Sequence, residues 1–184
     1  MPDYDFITTY TGVHFFPTRP DPDGVRIVDV AHALSLLCRG NGHVKTFFSV
    51  GQHCLHCARE ALARNCSRRV ALACLLHDAS EAYLSDVPRP FKQHLPQYRA
   101  LEDRLLAAIY QKYLGGPLTQ EEQRQVKQID DDMLRGELRE MIVSTRELPP
   151  ILLASVPDFA EHPHWETEEA FLKEANDLLK LLRK

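Results

Sequence analysis

The sequence predicts an all-α fold, one helical bundle with a small β-hairpin at its N-terminal end. Three observations predict it. Apolar residues recur at three- and four-residue spacing along most of the 184-residue chain. Helix-starting Ser, Thr and Pro and helix-stopping Gly and Asn fall between these runs. Mixed β-branched and aromatic character is confined to one short stretch, residues 6–16, FITTYTGVHFF, around Thr11-Gly12, which reads as the hairpin.

The totals set bounds on function. A chain of this length fits a single domain, residues 1–184, with enough material for a sizeable core. Hydrophobic content of 44% and charged content of 26% are ordinary for a globular protein. A formal charge of −4 leaves no basic footprint for long nucleic acid, though a local cationic pocket stays open. No apolar run is long enough to cross a bilayer, so no membrane partner is expected. Met1-Pro-Asp-Tyr-Asp lacks the basic and apolar regions of a signal peptide. Five cysteines without framework spacing point to reduced thiols. A cytoplasmic location is expected.

Residues 17–24, PTRPDPDG, form a loop. Asp29 is a plausible N-cap for a helix carrying Val30, Ala33, Leu34, Leu37 and Cys38, which should stop near Arg39 before Gly40-Asn41-Gly42. A second helix begins near Ser49, with Val50, Cys54, Cys57, Ala58, Ala61 and Leu62 as its apolar stripe and Asn65 at its end. Ser67 caps a third, whose Val70, Ala71, Cys74 and Leu75 lead to His77-Asp78. Apolar on most sides, this helix should be central. Pro96 starts a helix with Tyr98, Leu101, Leu105, Ala108 and Ile109, stopped by Gly115-Gly116-Pro117. Thr119-Gln-Glu-Glu122 fits a capping box for a long helix through about Val143. Residues 147–165 show no regular pattern. Thr167 caps a last helix, about 167–183, with Phe171, Ala175, Leu178, Leu179 and Leu182 inward.

The chemistry concentrates where an apolar run meets His77-Asp78, with Glu81 and Asp86 following. Buried imidazoles and carboxylates are costly unless paired or bound to a cation. His53 sits beside the stripe of the preceding helix, and the 119–143 helix offers Asp130, Asp131 and Asp132. At roughly 100° per residue, Val126, Ile129 and Met133 cluster within an arc of about 60°. Asp130 falls at the edge of that arc and should face the core, while Asp131 and Asp132 point away. His53, His77, Asp78 and Asp130 make a mixed nitrogen–oxygen set suited to a divalent transition metal: Zn, Co, Mn, Fe or Ni. Four protein ligands would saturate a tetrahedral zinc, so a hydrolytic metal here must expand its coordination or loosen a ligand. Singly, each residue has a plain structural explanation: a satisfied core histidine, a solvated acidic run, a common dipeptide. In this order and helical context, together, they outweigh it. Cys54 and Cys57 form a lone CxxC with no second pair, and read as small buried hydrophobes. His43 and His56 are too few for a second metal.

The order His53, His77-Asp78, Asp130 resembles the signature of the HD-domain phosphohydrolase superfamily. His77-Asp-Ala-Ser-Glu-Ala-Tyr-Leu-Ser-Asp-Val-Pro-Arg-Pro-Phe-Lys92 is similar to the motif of its 5′-deoxynucleotidase branch, of the YfbR and YfdR types. Leu34-Ser-Leu-Leu-Cys-Arg39, Gly42-His43, Phe48-Ser-Val-Gly-Gln-His53 and Val126-Lys-Gln-Ile-Asp130 resemble the YfdR type as well. The likeness runs from about residue 9 to about 134, within a motif-bearing core of about 28–143. Phage dATP triphosphohydrolases of the same superfamily carry similar motifs.

The resemblance implies an HD-domain bundle with one divalent metal held by His53, His77, Asp78 and Asp130. It implies that Glu81 positions or deprotonates the attacking water, which agrees with a place one helical turn past His77. Arg39, Lys92 and Lys127 match basic positions that would balance phosphate charge. Asp86 matches a residue expected to contact the sugar, and Pro90 would shape the base pocket. The expected activity is hydrolysis of deoxynucleoside 5′-monophosphates, with a nucleotide as the small-molecule partner. The alternatives are a dNTP (dATP-type) triphosphohydrolase and a non-catalytic nucleotide- or metal-binding HD module. Residues after about 147 are expected either to cover the site or to build a homo-oligomer interface.

Overall fold

The structure, a computed structural model, describes residues 5–143 and 149–182. It is a helical bundle with a two-stranded antiparallel hairpin, β1 (Ile7–Thr8) and β2 (His14–Phe15), paired Ile7 to Phe15 and Thr8 to His14. The helices are α1 (Ile27–Leu36), α2 (Val50–Ala63), α3 (Arg68–Leu76), α4 (Glu81–Leu84), α5 (Arg89–Lys92), α6 (Pro96–Leu114), α7 (Gln120–Met141) and α8 (His164–Leu182). None of them is long and apolar enough to cross a membrane.

The starts of the long helices are written into the sequence. Ser49 caps α2 and Gln52 answers its backbone, a reciprocal box like that of Thr119 and Glu122 on α7. Ser67 accepts from Val70 N–H at the start of α3. Gly115 ends α6 in the left-handed region at φ 75°, where a side chain would be strained. Helix α3 is the axis of the fold: Val70 to Leu76 are all buried, and α2, α6, α7 and α8 pack around it.

Several boundaries differ from the sequence expectation, each for a physical reason. Asp29 is no cap; α1 begins at Ile27, and the buried Asp29 carboxylate accepts from Thr11 N–H at 2.7 Å and from the Thr11 hydroxyl at 3.0 Å. It ties the hairpin to α1. That helix ends at Leu36, and Arg39–Gly42 form a separate turn in which Gly40 and Asn41 both take positive φ. The chain also leaves helical pairing after Leu76, so Glu81 opens its own short helix and does not share one with His77.

Residues 149–163 run across α2 and α7 without a helix, alternating between covered and exposed positions. Glu60, fully buried on α2, holds this strap by accepting from Ala154 N–H at 2.9 Å, Ser155 N–H at 2.7 Å and the Ser155 hydroxyl at 2.5 Å. Gln52 adds a bond from Nε2 to the Ala160 carbonyl at 3.1 Å. The earliest residues of the expected 147–165 connection, and Arg183 at the end of the last helix, lie outside the described residues. On α8, Phe171, Ala175 and Leu178 are buried against α1, α2 and α3, whereas Leu182 is 39% exposed and not inward. The C-terminal region thus completes the core.

Gly51 marks the closest approach among α1, α2 and α8. A Cβ there would meet Thr167 Cγ2 at 3.1 Å, Ser35 Oγ at 3.2 Å and the Leu34 carbonyl carbon at 3.3 Å. Overpacking of this kind costs about 1–3 kcal/mol, against about 1 kcal/mol gained from helix propensity. Gly51→Ala is therefore expected to lower the thermal midpoint; a midpoint unchanged or raised in calorimetry would show that these helices can separate freely.

Candidate metal centre

Helices α2 and α7 and the turn after α3 bring polar groups to one point. The Nε2 atoms of His53, from α2, and His77, just after α3, lie 3.2 Å apart. Asp78 Oδ2 is 3.3 Å from His77 Nε2 and 3.7 Å from His53 Nε2. Asp130 Oδ1, from α7, is 3.3 Å and 3.6 Å from the same two nitrogens. His53 is wholly buried, and the side chains of His77, Asp130 and Asp78 are 9%, 16% and 19% exposed.

The partners of each group fix what faces the centre. His53 Nδ1–H donates to Glu137 Oε1 at 2.5 Å, and His77 Nδ1–H donates to the Cys74 carbonyl at 2.7 Å. A carbonyl and an ionised carboxylate only accept, so each imidazole carries a proton on Nδ1, and Nε2 is the atom that faces the centre. Arg39 Nη2 lies 3.0 Å from His53 Nε2. With both Nε2 atoms deprotonated and Arg39 turned aside, as metal binding would require, four electron-pair donors would converge on one point. The five separations of 3.2–3.7 Å suit ligands held about 2.1 Å from a common centre, whose tetrahedral edges are roughly 3.4 Å. The residues present fit a divalent metal of the imidazole- and carboxylate-binding kind.

Charge points the same way. Burial by itself resists ionisation of Asp78, but His77, Arg39 and His53 outweigh it and hold the carboxyl below its usual range. At Glu137 burial is again outweighed, by His53 and Arg39, and the carboxyl sits at about 2. Glu81 goes the other way. Burial, then Asp78 and Asp86, push it well above the usual carboxylate range, against Lys92 and Arg39. Its Oε1 lies 3.4 Å from Lys92 Nζ, and its buried Oε2 has no partner among the described residues.

The other expected residues divide. Arg39 joins the cluster, with Nη1 at 3.3 Å from Asp78 Oδ2 and Nε donating to Glu137 Oε2 at 2.9 Å. Lys92 bridges Glu81 and, at 2.6 Å, Glu102 of α6. Asp86 accepts from Gly40 N–H at 3.3 Å, tying the Arg39 turn to the α4–α5 connection. Pro90 lies exposed on α5 between Arg89 and Lys92. Lys127 does not reach the cluster: it is 70% exposed and pairs with Asp131 at 2.5 Å. A cation the sequence reading passed over, Arg89, binds Asp130 instead and also meets Asp131 Oδ1 at 2.5 Å. Cys54 and Cys57 are buried, as expected for small hydrophobes, yet both thiols edge the site: Cys57 Sγ is 3.5 Å from His53 Nε2, and Cys54 groups with His77 and Asp78. His56 packs near Phe48 and Phe159, where burial lowers its pKa to about 4. A cleft of about 270 Å³ between the strap and the end of α7 shares no lining residue with this centre.

Comparison with known proteins adds a family. The chain is 35% identical over 147 residues to "Uncharacterized protein YfdR" of Escherichia coli (strain K12), covering 80% of this chain and 78% of that protein. It belongs to the YfdR family. An uncharacterized protein of Rhodobacter capsulatus is 37% identical over 100 residues, 51% of this chain and 50% of its own length. No family model matches.

The arrangement predicts one tight divalent-metal site per chain, read by elemental analysis and by calorimetric titration of the metal-free protein. Asp130→Asn or His77→Ala should lower affinity by more than the roughly 10–100-fold typical of outer-shell changes. Metal should also raise the thermal midpoint of the parent protein and fail to do so in the variants. Equal affinity in parent and variants would disprove the ligand set.

Proposed function

We propose that this protein is a metal-dependent phosphohydrolase of the HD-domain type, acting on deoxynucleoside 5′-monophosphates to release phosphate. The observation that carries the reading is the convergence of His53 Nε2, His77 Nε2, Asp78 Oδ2 and Asp130 Oδ1, beside a buried carboxylate with one unpartnered oxygen. When bound by these four side chains, a divalent metal supplies Lewis acidity toward a phosphoryl oxygen and acidifies the attacking water.

The remaining chemistry belongs to the chain. Glu81 offers Oε2 to the water and takes its proton; burial, then Asp78 and Asp86, raise its pKa, which makes it a stronger base than an ordinary carboxylate. Lys92, shared between Glu81 and Glu102, sets the position of that carboxylate and adds a cation for the phosphate. Arg39, held by Glu137 and reaching Asp78 and His53 with its terminal nitrogens, supplies a cation at the edge of the centre for the phosphate. Asp86 is placed to accept from a sugar hydroxyl, and Pro90 to border the base. Lys127, turned to solvent on Asp131, has no part in this account.

A second reading, release of triphosphate from a dNTP, is favoured by Arg89. It adds a third cation, half exposed, beside Asp130, and so suits a longer phosphate chain. A panel of dNMPs and dNTPs with Mn, Co or Zn separates the two by product, phosphate or triphosphate. No turnover of either would leave a nucleotide- or metal-binding module.

Two outcomes follow for Glu81. Glu81→Gln should reduce kcat by about 10²–10⁴-fold, the range for losing a general base, with metal affinity retained. Protonated Glu81 cannot accept a proton, so the rate should rise with pH through its elevated pKa, on a limb displaced above the usual carboxylate range. A profile flat down to ordinary carboxylate pH, or one unchanged in Glu81→Gln, would exclude Glu81 as the base.

A further inference from the structure

Glu137 has no part in the proposed reaction, yet both of its oxygens serve groups that do. Oε1 accepts from His53 Nδ1–H at 2.5 Å, and Oε2 accepts from Arg39 Nε–H at 2.9 Å. The same guanidinium returns to the centre, reaching His53 Nε2 through Nη2 at 3.0 Å and Asp78 Oδ2 through Nη1 at 3.3 Å. Carboxylate, imidazole and guanidinium thus close a ring at the end of α7. The loop that bears Arg39 is fastened to the same helix a turn further on. There Lys45 N–H donates to the Met141 carbonyl at 2.8 Å, and Lys45 Nζ to the Glu140 carbonyl at 2.7 Å.

We propose that Glu137 is a positioning residue that orients the metal-binding imidazole of His53 and the anion-binding guanidinium of Arg39 at once. The inference rests on the phosphohydrolase reading. On one side the carboxylate keeps the His53 proton on Nδ1 and the lone pair of Nε2 aimed at the metal. On the other it holds Nε of Arg39, which fixes the plane of the guanidinium and so the direction of the two terminal nitrogens that now reach His53 and Asp78 and would meet a phosphoryl group once metal occupies the centre. Neither duty can pass to a neutral amide. Gln has one acceptor oxygen for two donors, and its NH₂ would face an N–H. Replacing Glu137 by Gln must therefore release His53 or Arg39.

The test uses binding alone, on the full-length protein, with Co²⁺ and inorganic phosphate as probes. Co²⁺ affinity is measured by titration of the metal-free protein, and phosphate affinity at saturating Co²⁺. Glu137→Gln is expected to weaken Co²⁺ by about 10–100-fold, as outer-shell partners of metal-binding histidines do. Phosphate should weaken by roughly tenfold, the scale of one lost hydrogen bond. Glu137→Asp keeps the charge but is too short to span both partners, and should show the same pair of losses; it also serves if the Gln variant fails to fold. Glu60→Gln is the control: an equally buried carboxylate that anchors the strap, whose loss should lower the thermal midpoint and leave both affinities alone. If the Glu137 variants lose stability while both affinities stay intact, or lose one affinity and not the other, the joint role is overturned. If the parent protein binds no Co²⁺, the phosphohydrolase reading fails first, and that result is distinct from either.

Discussion

Two imidazole Nε2 atoms 3.2 Å apart in a largely buried site are the constraint on which the rest of this structure turns. Such a pair repels unless a proton or a metal ion lies between, and the surroundings are acidic. Asp78, Glu81, Asp130 and Glu137 meet at the centre, while Arg39, Arg89 and Lys92 are the cations that touch them. The buried apolar residues of α2, α3 and α7 hold these groups together.

The break after α3 matters as much as the helices. Within a regular helix, His77 and Asp78 would diverge by about 100°, and both could not face one point. Ending the helix at Leu76 lets consecutive residues converge from a turn, and lets Glu81 approach from a helix of its own. Ser85, at φ 72°, then reverses the chain so that the Pro-Arg-Pro-Phe-Lys segment folds back over the carboxylates. A longer, unbroken α3 would be a better helix and a worse site.

Much of this was legible in the chain. The caps at Ser49, Ser67 and Thr119 are local chemistry, and the helices start where those hydroxyls stand. Helical phase alone placed Asp130 at the core edge and Asp131 outside it. The same arithmetic contained Glu137: seven residues on from Asp130, it falls about 20° past Val126, between the apolar arc and Asp130. A carboxylate at the edge of an apolar stripe is a signal in itself. Lys127, about 60° beyond Asp130, lay toward solvent by that count. The resemblance put it at the site, and the helix put it on Asp131. Arg89 was not readable, because its place depends on how an irregular turn folds across to α7. The strap over α2 was equally hidden, since backbone N–H groups reaching for Glu60 leave no mark in side-chain pattern.

Three buried glutamates show how the surroundings of a carboxylate separate anchoring from reactivity. Glu60 receives two backbone N–H groups, a hydroxyl and the Arg64 Nε at 2.7 Å. Every lone pair of consequence is used, the charge is secured, and the group is structural. Glu137 is also fully supplied, one donor firmly on each oxygen, but its donors are the imidazole and guanidinium that the centre itself employs. Glu81 has a single long contact to Lys92, and its second oxygen faces no donor. Burial without donors favours the protonated form, and Asp78 and Asp86 favour it further. The fold satisfies two buried carboxylates completely and leaves the third, beside the four converging side chains, short of partners among the described residues; it is that third group which the proposed reaction would use as its base.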